Sequence, residues 1–359
     1  MTVHVCCPSD GRWYGSNEPR PTGVPTGMVN HESSMANTIH STGFVVLDLL
    51  VADGEMTCHV GGTAANVAIN LSLLGWDAAV SGLIGDDPAG HEIRRQFTLY
   101  GVDTTALIND PEVETPVVIH EVTKDRHRFR FSCPHCGTKY AKFRPLPPTK
   151  ASTAPAADVH FFDRASSYAI EVSRLRRDTS AVVFEPGTPG RPPATTSMVR
   201  QAHFLRASGD LELPPDAVAA QAQKPQVIGL GSAGVKYRAA DTEWRSLPSR
   251  LLDLPVDAGG AGDWLTAAVL DGLGPSLVRS KSVGIQDLER TVDRALDFAA
   301  ACCRHLGTRG LVGTDDWAHL TMNSPRDVQI SQVEQVQAGT SQRKVGCHSW
   351  FHFPRLNKA

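Results

Sequence analysis

Strand and helix patterns alternate along most of the chain, and this alternation limits the fold more than any other feature of the sequence. Short apolar runs near residues 158–162, 181–185, 202–206 and 226–230 indicate buried strands, and stretches between them have helical periodicity. Strands that alternate with helices form a mostly parallel sheet with helices on both faces. We therefore predict an α/β, doubly wound fold.

The first half of the chain supplies further elements of this pattern. Phe44–Leu50 is almost wholly apolar and predicts the first buried strand, while Ala64–Leu74 predicts a helix that ends before a glycine. Apolar and polar residues alternate over Thr115–Phe131, which predicts two antiparallel strands around a turn at Lys124–Asp125. Residues 115–145 would then form a small β lid on the α/β body.

The two ends of the chain differ in composition from its middle. Residues 1–40 are rich in Pro, Gly, Ser and Asn without periodicity, and we expect an irregular arm there. A last strong helical pattern covers residues 290–306, after which the chain turns polar and irregular. We predict one folded domain over residues 41–313, followed by an irregular extension over residues 314–359.

The charge and the cysteine content narrow the range of functions. A net charge of −3 gives no basic field of the kind that nucleic-acid-binding proteins carry, so we expect a small molecule as the partner. No apolar run approaches the length of a membrane span, and the first residues lack the pattern of a secretory signal. We expect a cytoplasmic protein whose eight cysteines are reduced thiols.

Three glycines and two aspartates stand directly before an apolar helix in VDAGGAGDWLTAAVLDGL, residues 256–273. The N–H groups of such a first turn form an anion site, which glycines leave open. Asp263 lies in that turn, where a carboxylate repels phosphate, so we interpret it as a general base that takes a proton from an alcohol. The alternative is that Asp263 only caps the helix and that Gly259, Gly260 and Gly262 form only a tight turn.

A second pair of glycines opens the earlier helix, in GGTAAN, and places the amide of Asn66 near its start. Asp48 lies near the end of the predicted first strand, and ligands of open α/β sheets bind beyond the carboxyl ends of the strands. We therefore expect Asp48, Asn66 and Asp263 to converge on one hydroxylated substrate.

The segment GLGSAG, residues 229–234, matches the pattern of a dinucleotide-binding loop. That pattern requires a helix directly after the glycines, whereas the sequence that follows predicts two short strands with a turn. A Rossmann cofactor site is therefore disfavoured, and Val235 in place of a lysine excludes a P-loop. A glycine turn that lets a nucleotide lie on the backbone remains open.

Cys133 and Cys136 stand at the spacing of half a structural zinc site, directly after the predicted lid strands. His135, His127 or a further cysteine would have to complete the site. The alternatives are a pair of free thiols in a turn and a redox-active pair.

Six segments follow one another in a specific order: GFVVLD, GGTAANVAINLSLLG, GLIGDDPAG, the two-stranded lid, GLGSAG and DAGGAGD. This order resembles the PfkB (ribokinase-like) family of carbohydrate kinases over residues 42–310. The resemblance implies an ATP- and Mg²⁺-dependent kinase that phosphorylates a hydroxyl of a sugar or sugar-like substrate. The lid would close over the sugar and exclude water, and two subunits would pair through their lids.

The resemblance also assigns roles to single residues. Asp263 matches the catalytic base, and the anion hole for the phosphoryl group matches Gly260, Ala261 and Gly262. Substrate-binding positions match Asp48, Gly61, Gly62, Asn66 and Asp257, the last of which lies near a monovalent cation in some members. Nucleotide-binding positions match Gly231, Ser232, Gly234 and Gly259.

The chain departs from the family's pattern in two places. Ala258 replaces a threonine that is common in the catalytic loop, and the segment RASGDLEL lacks the asparagine of a metal-associated N-x-x-E motif. We expect Glu212 or Asp210 to supply the acidic group, with Ser208 in place of the asparagine. Two other functions remain open: a nucleoside kinase of the same fold, and a nucleotide- or sugar-binding regulatory protein without effective turnover.

Overall fold

The computed structural model describes residues 37–322 except 53–54, 124–125, 135–136, 210 and 252–253. These residues form the strands β1 Thr38–Thr42, β2 Val46–Ala52, β3 Glu55–Gly61, β4 Asp77–Gly85, β5 Leu107–Asp110, β6 Val117–Thr123, β7 Arg126–Arg130, β8 Val159–Phe162, β9 Ala181–Phe184, β10 Phe204–Ser208, β11 Gln226–Gly229, β12 Val235–Arg238 and β13 Arg245–Leu247. The helices are α1 Thr63–Leu73, α2 Pro88–Leu99, α3 Ser167–Arg176, α4 Pro192–Gln201, α5 Pro215–Gln221, α6 Ala261–Ser280, α7 Ile285–Cys303 and α8 Asp315–Thr321.

Nine of these strands form the main sheet, in the order β13-β12-β11-β10-β9-β8-β1-β4-β5. The pairs from β11 to β5 are parallel, whereas β12 and β13 are antiparallel at one edge. Every residue of β8 and of β9 is buried, as expected for parallel strands that helices cover on both faces. The predicted doubly wound α/β fold is confirmed.

The predicted first strand was assigned to the wrong sheet. The main sheet begins with β1, inside the region that we expected to join an irregular arm, and the apolar run Phe44–Leu50 leads instead into β2 of a second sheet. Most residues of β1 are polar and resemble the arm in composition, yet they are buried because their side chains bond to a neighbouring strand and to α1. For example, a ring nitrogen of His40 lies 3.0 Å from one of His160, and Ser41 donates to the carbonyl of Ala64.

The lid contains four strands rather than two, in the order β3-β2-β6-β7. The antiparallel pair β6 and β7 is where the alternating pattern predicts it, and its turn residues 124–125 lie outside the described part. The sequence analysis did not recognise that β2 and β3 pair antiparallel and extend this sheet on the other side of β6. Leu47 and Leu49 are buried, so β2 has the apolar composition of a core strand even though it belongs to the lid.

The folded body also continues further toward the C-terminus than predicted. α8 follows Gly313, and its Trp317 packs edge-on against Trp264 of α6 with ring centroids 5.5 Å apart. The polar composition of this stretch concealed a short amphipathic helix, so the predicted boundary at residue 313 is too early. None of the helices in the described ranges is long and apolar enough to cross a membrane, and the cellular location stays a prediction.

Helices α1 and α6 position the site. Nearly every residue of α1 is buried, because the helix is packed between the sheet and α6. α1 ends before Gly75, whose φ of 84° lies in the left-handed region that favours glycine, as the sequence predicts. α6 starts at the predicted loop but runs to Ser280, beyond the predicted end near residue 273.

Candidate active site

A cavity of about 620 Å³ lies between the lid and the start of helices α1 and α6. The lid contributes alternate residues of β2, among them Val46, Asp48 and Leu50, because successive side chains of a strand point to opposite faces. The opposite wall is formed by the starts of α1 and α6 and by the loop over residues 306–310, which together we call the floor. The two glycine-rich loops of the sequence therefore open into one space.

The start of α6 has a conformation that requires glycine. Gly260 caps the helix with φ 84°, and a Cβ on this residue would lie 2.2 Å from Oγ1 of Thr308. Gly262, two residues later, is exposed. The first N–H groups of a helix lack partners inside it, and the helix dipole adds a positive potential there. The loop has the glycine conformation that the predicted anion site needs, and the anion site itself stays a prediction.

Asp263 lies in the first turn of α6 and contacts α1 through a hydrogen bond. Asn66 Nδ2 donates to its carboxylate at 2.5 Å, and the guanidinium of Arg309 donates to the other side of the same amide. Burial raises the pKa of Asp263, while the bond from Asn66 and the charge of Arg309 oppose this shift. Asp263 and Asn66 are thus brought together as expected.

Asp48 lines the same cavity, but from the lid. It lies within β2, opposite His59 of β3, and not at the carboxyl end of a main-sheet strand as we expected. Burial raises the pKa of Asp48 to about 7, an effect that the charge of Arg309 opposes and that of Asp263 reinforces. Gly61 makes room for this carboxylate, since a Cβ there would lie 1.8 Å from Asp48 Oδ2.

The neighbouring Gly62 serves the backbone of the same turn. Its φ is 92°, and a Cβ there would lie 2.0 Å from the carbonyl oxygen of Phe44. The diglycine thus permits β3 to turn tightly into α1, which places Asn66 one helical turn inside the cavity wall.

Arg309 is a site residue that the sequence analysis missed. Its side chain is buried, and its guanidinium lies over the ring of Tyr100 at 5.7 Å from the centroid. Burial lowers the pKa of this guanidinium, and the charges of Tyr100, Asp263 and Asp48 oppose the shift. No motif surrounds this arginine in the sequence, and only the fold brings it to the cavity.

Two acidic residues at the ends of main-sheet strands were also missed. Asp163 follows β8 and accepts from the N–H groups of Phe44 and Ala64, at 2.9 and 3.1 Å, which fixes the start of α1. Glu185 follows β9 and accepts from Thr266 of α6 at 2.7 Å. Burial raises the pKa of Asp163 to about 6 and that of Glu185 to about 7. A signal was available, because each residue directly follows a short, mostly apolar strand.

The remaining predicted residues lie around this centre. Gly231 and Ser232 are exposed in a short turn after β11, while the φ of 96° at Gly234 leads into β12. Asp257 is buried, and its carboxylate accepts from the N–H groups of Gly259 and of Gly307, at 2.7 and 2.9 Å. Asp257 therefore ties the loop before α6 to the 306–310 loop.

The predictions for a metal-binding acidic group and for zinc stay predictions. Glu212 is exposed after β10, and Asp210 lies outside the described residues. Cys133 is buried in a turn, where its backbone carbonyl accepts from the N–H group of Gly137. Cys136 is not among the described residues. The described ranges hold no group of three or more His, Cys, Asp or Glu side chains with the geometry of a metal site.

The lid face of the cavity is aromatic. Phe44, Phe129 and Phe131 line it, and His120 stacks on Phe129 with ring centroids 4.6 Å apart. His59 also faces the cavity, and burial lowers its pKa to about 4. The cavity therefore combines a charged, hydrogen-bonding floor with a largely apolar lid.

Known carbohydrate kinases are similar to this chain in sequence and fold. A family model described as pfkB family carbohydrate kinase matches residues 37–143. A fructokinase of Escherichia coli is 25% identical over 305 residues, which cover 75% of this chain and 92% of that protein. In sequence the chain is therefore similar to PfkB-type carbohydrate kinases, the family that the order of its motifs resembles.

Other kinases extend the comparison. An aminoimidazole riboside kinase of Salmonella typhimurium is 27% identical over 233 residues, 58% of this chain and 72% of that protein. The structure of aminoimidazole riboside kinase from Salmonella enterica, complexed with aminoimidazole riboside and an ATP analogue, aligns at TM-score 0.59 with 21% identity, over 79% of this chain and 99% of that one. A fructokinase from Xylella fastidiosa with bound ATP aligns at TM-score 0.61 with 16% identity, over 79% and 98%. These structures share the ribokinase-like fold.

Proposed function

We propose that this protein transfers the γ-phosphoryl group of ATP to a hydroxyl of a sugar or sugar-like substrate, with Asp263 as the general base. The observation that carries the proposal is the bond between Asn66 and Asp263 at a cavity that also holds Asp48 and the glycine-rich start of α6. Carboxylates and an amide suit the hydroxyls of a polyol, and the helix start suits a phosphoryl group.

The proposed reaction needs a proton acceptor beside an anion site. ATP supplies the phosphoryl group. The substrate hydroxyl gives its proton to Asp263 while its oxygen bonds to the γ-phosphorus, and the bond from that phosphorus to the bridging oxygen breaks, with the electron pair leaving on ADP. The backbone N–H groups of Gly260, Ala261 and Gly262 stabilise the charge that develops on the phosphoryl oxygens.

The surroundings of Asp263 fit the role of a base. Burial raises its pKa, and a carboxylate with a raised pKa accepts a proton more readily near neutral pH. The bond from Asn66 holds the carboxylate in one orientation. Asp48, on the opposite wall, would hold another hydroxyl and position the substrate.

We expect the nucleotide to lie against the turn that follows β11, around Gly231. This part of the protein offers few ligands to a metal ion. A Cβ on Gly231 would meet no atom within 4 Å, so a phosphate or ribose can approach the backbone there. Mg²⁺ is commonly held by substrate phosphates with one or two carboxylates. Glu185, which is buried, is the first candidate for a carboxylate that holds Mg²⁺, and Glu212 is the second. A monovalent cation beside Asp257 and a structural zinc ion at Cys133 and Cys136 remain separate proposals.

The proposal is tested by ATP consumption with a panel of free sugars and ribosides. We expect acceptor-dependent release of ADP and a product heavier by one phosphoryl group, as detected by mass spectrometry. ATP binding without acceptor-dependent ADP release across the panel would favour the regulatory protein that the sequence left open.

A second candidate function is the phosphorylation of a riboside. It is favoured by the aromatic lid face, where Phe129 and Phe131 are 55% and 61% exposed while lining the cavity. Aromatic rings stack on planar groups, whereas a free sugar presents hydroxyls on most of its carbons. A higher kcat/KM for a riboside than for the matched free pentose would support this substrate class.

Pairing of two subunits through the lid is proposed on the same two phenylalanines. They lie at the edge strand β7 and its end, and large exposed apolar side chains at a sheet edge favour association. Light scattering on Phe129→Ser/Phe131→Ser protein tests this pairing: we expect the wild type to be a dimer and the variant a monomer, and a wild-type monomer would contradict it.

A further inference from the structure

A buried arginine lies beside the anion site at the start of α6. Arg206 is a residue of β10, and it is 4% exposed. A Cβ on Gly229, at the end of β11, would lie 3.2 Å from its Nη2 atom, and a Cβ on Gly262 would lie 3.6 Å from the same atom. The guanidinium therefore lies between two glycines, one on the nucleotide side and one in the catalytic loop.

The hydrogen bonds within the chain do not use all the donors of this guanidinium. Arg206 Nη1 donates to the carbonyl of Ala207, and the same atom lies 3.9 Å from Glu185 Oε1, beyond hydrogen-bonding distance. The buried Nε has no hydrogen-bond partner among the described residues. Burying a charge is costly unless its donors are paired, so this arrangement points to a ligand with several acceptor oxygens.

The charges around Arg206 specify the kind of ligand. Burial raises the pKa of Asp263 and of Glu185, and the positive charge of Arg206 opposes this shift in both carboxyls. The start of α6 adds the positive end of a 20-residue helix. A guanidinium at this place can bond two oxygens of a phosphate in one plane, which the point charge of a lysine cannot do.

We propose that Arg206 contacts the terminal phosphate oxygens of the bound nucleotide and stabilises the charge that moves to the β–γ bridging oxygen during transfer. This inference rests on the proposed kinase function. Arg206 is then a catalytic residue that acts from the leaving-group side, whereas Asp263 acts on the attacking hydroxyl. The positive charge stands on β10, in the same segment, residues 206–213, that lacks the family's asparagine.

The test compares Arg206→Gln and Arg206→Lys with Arg238→Gln. Arg238 is the control, because it is also a strand arginine of the main sheet, but it is only half-buried and lies over the ring of Trp244. We expect Arg206→Gln to lower kcat about 10²–10³-fold, with the KM for the sugar within about threefold, since fixed arginines at phosphoryl groups have effects of this size. Arg206→Lys should lie between Arg206→Gln and the wild type, and Arg238→Gln should match the wild type.

Nucleotide binding separates this role from a structural one. Contact with the terminal phosphates predicts that Arg206→Gln loses more affinity for ATP than for AMP, as measured by calorimetry on protein whose melting temperature matches the wild type. An equal loss for both nucleotides, or a kcat within threefold of the wild type, would overturn the proposal. If Arg206→Gln does not fold, the loss of affinity for ATP is compared with that for AMP in Arg206→Lys, and the same outcomes support or overturn the proposal.

The failure of the proposed function has a different signature. A wild type that releases no ADP with any acceptor refutes the kinase proposal. The comparison of ATP with AMP affinity still tests Arg206 in that protein.

Discussion

The floor and the lid of the cavity differ in how tightly their residues are held. On the floor, Asn66 links Arg309 to Asp263, and Gly260 has room only for a hydrogen atom against Thr308. In the lid, the cavity face carries phenylalanines that are more than half exposed. With Asp263 as the proposed base, the reaction chemistry would lie on the tightly held floor, and the more exposed lid would select the substrate.

The largest effect on stability is expected from the floor. Arg309→Met removes the buried charge that faces Asp48 and Asp263, and we expect a loss of about 3–5 kcal/mol in the free energy of unfolding. Arg304→Met is the control, because Arg304 pairs with Asp316 at the surface, where an ion pair contributes about 0–1 kcal/mol. Similar losses in urea unfolding of the two variants would mean that the floor is not held by Arg309.

A smaller effect is expected from the carboxyl group that faces the floor from the lid. The folded pKa of Asp48 is about 7, above its ordinary value of 3.8, so the folded state binds the proton more tightly than the unfolded state. Stability from this group is therefore complete below about pH 4 and is lost as the pH rises through 7. The variant Asp48→Asn is the control, because an asparagine side chain does not ionise and its stability has no contribution from this titration.

Relative to Asp48→Asn, the wild type should lose about 3–4 kcal/mol between pH 4 and pH 8. Denaturant unfolding at several pH values measures this difference. Parallel stability curves for the two proteins would show that the carboxylate ionises without cost in the folded state.

The smallest effect is expected from the lid. Phe131→Ala should leave the free energy of unfolding within about 0.5 kcal/mol, because the ring is 61% exposed. It should raise the KM for a riboside about threefold to tenfold, the range of an aromatic stacking contact, and leave the KM for a free pentose unchanged. Leu175→Ala, at a 42% exposed position on α3, is the matched control. An equal change in the KM for the riboside and for the free pentose would show that the aromatic lid face does not distinguish between these substrates.

The sequence predicts the floor better than the lid for a physical reason. Glycine-rich turns before apolar helices have few structural uses, so the starts of α1 and α6 and the pairing of Asn66 with Asp263 follow from local pattern. Sheet membership depends on distant partners instead. The apolar run at Phe44–Leu50 therefore predicts a strand correctly but not the sheet to which β2 belongs.

Charged residues outside any motif are also difficult to assign to the site from the sequence. Asp163 and Glu185 directly follow apolar strands, and this signal was present in the sequence. Arg206 and Arg309 belong to no motif, and their burial next to carboxylates arises only when β10 and the 306–310 loop come together with α6. Composition alone favours the surface for such residues.

Single-turnover phosphoryl transfer in Asp263→Asn, at saturating nucleotide and acceptor, decides whether Asp263 is the general base. We expect a rate about 10²–10⁴-fold below that of the wild type, with ATP affinity retained, because only the proton acceptor is lost. Asp287→Asn, in the exposed first turn of α7, should retain the wild-type rate. An Asp263→Asn rate equal to that of the wild type would contradict the account.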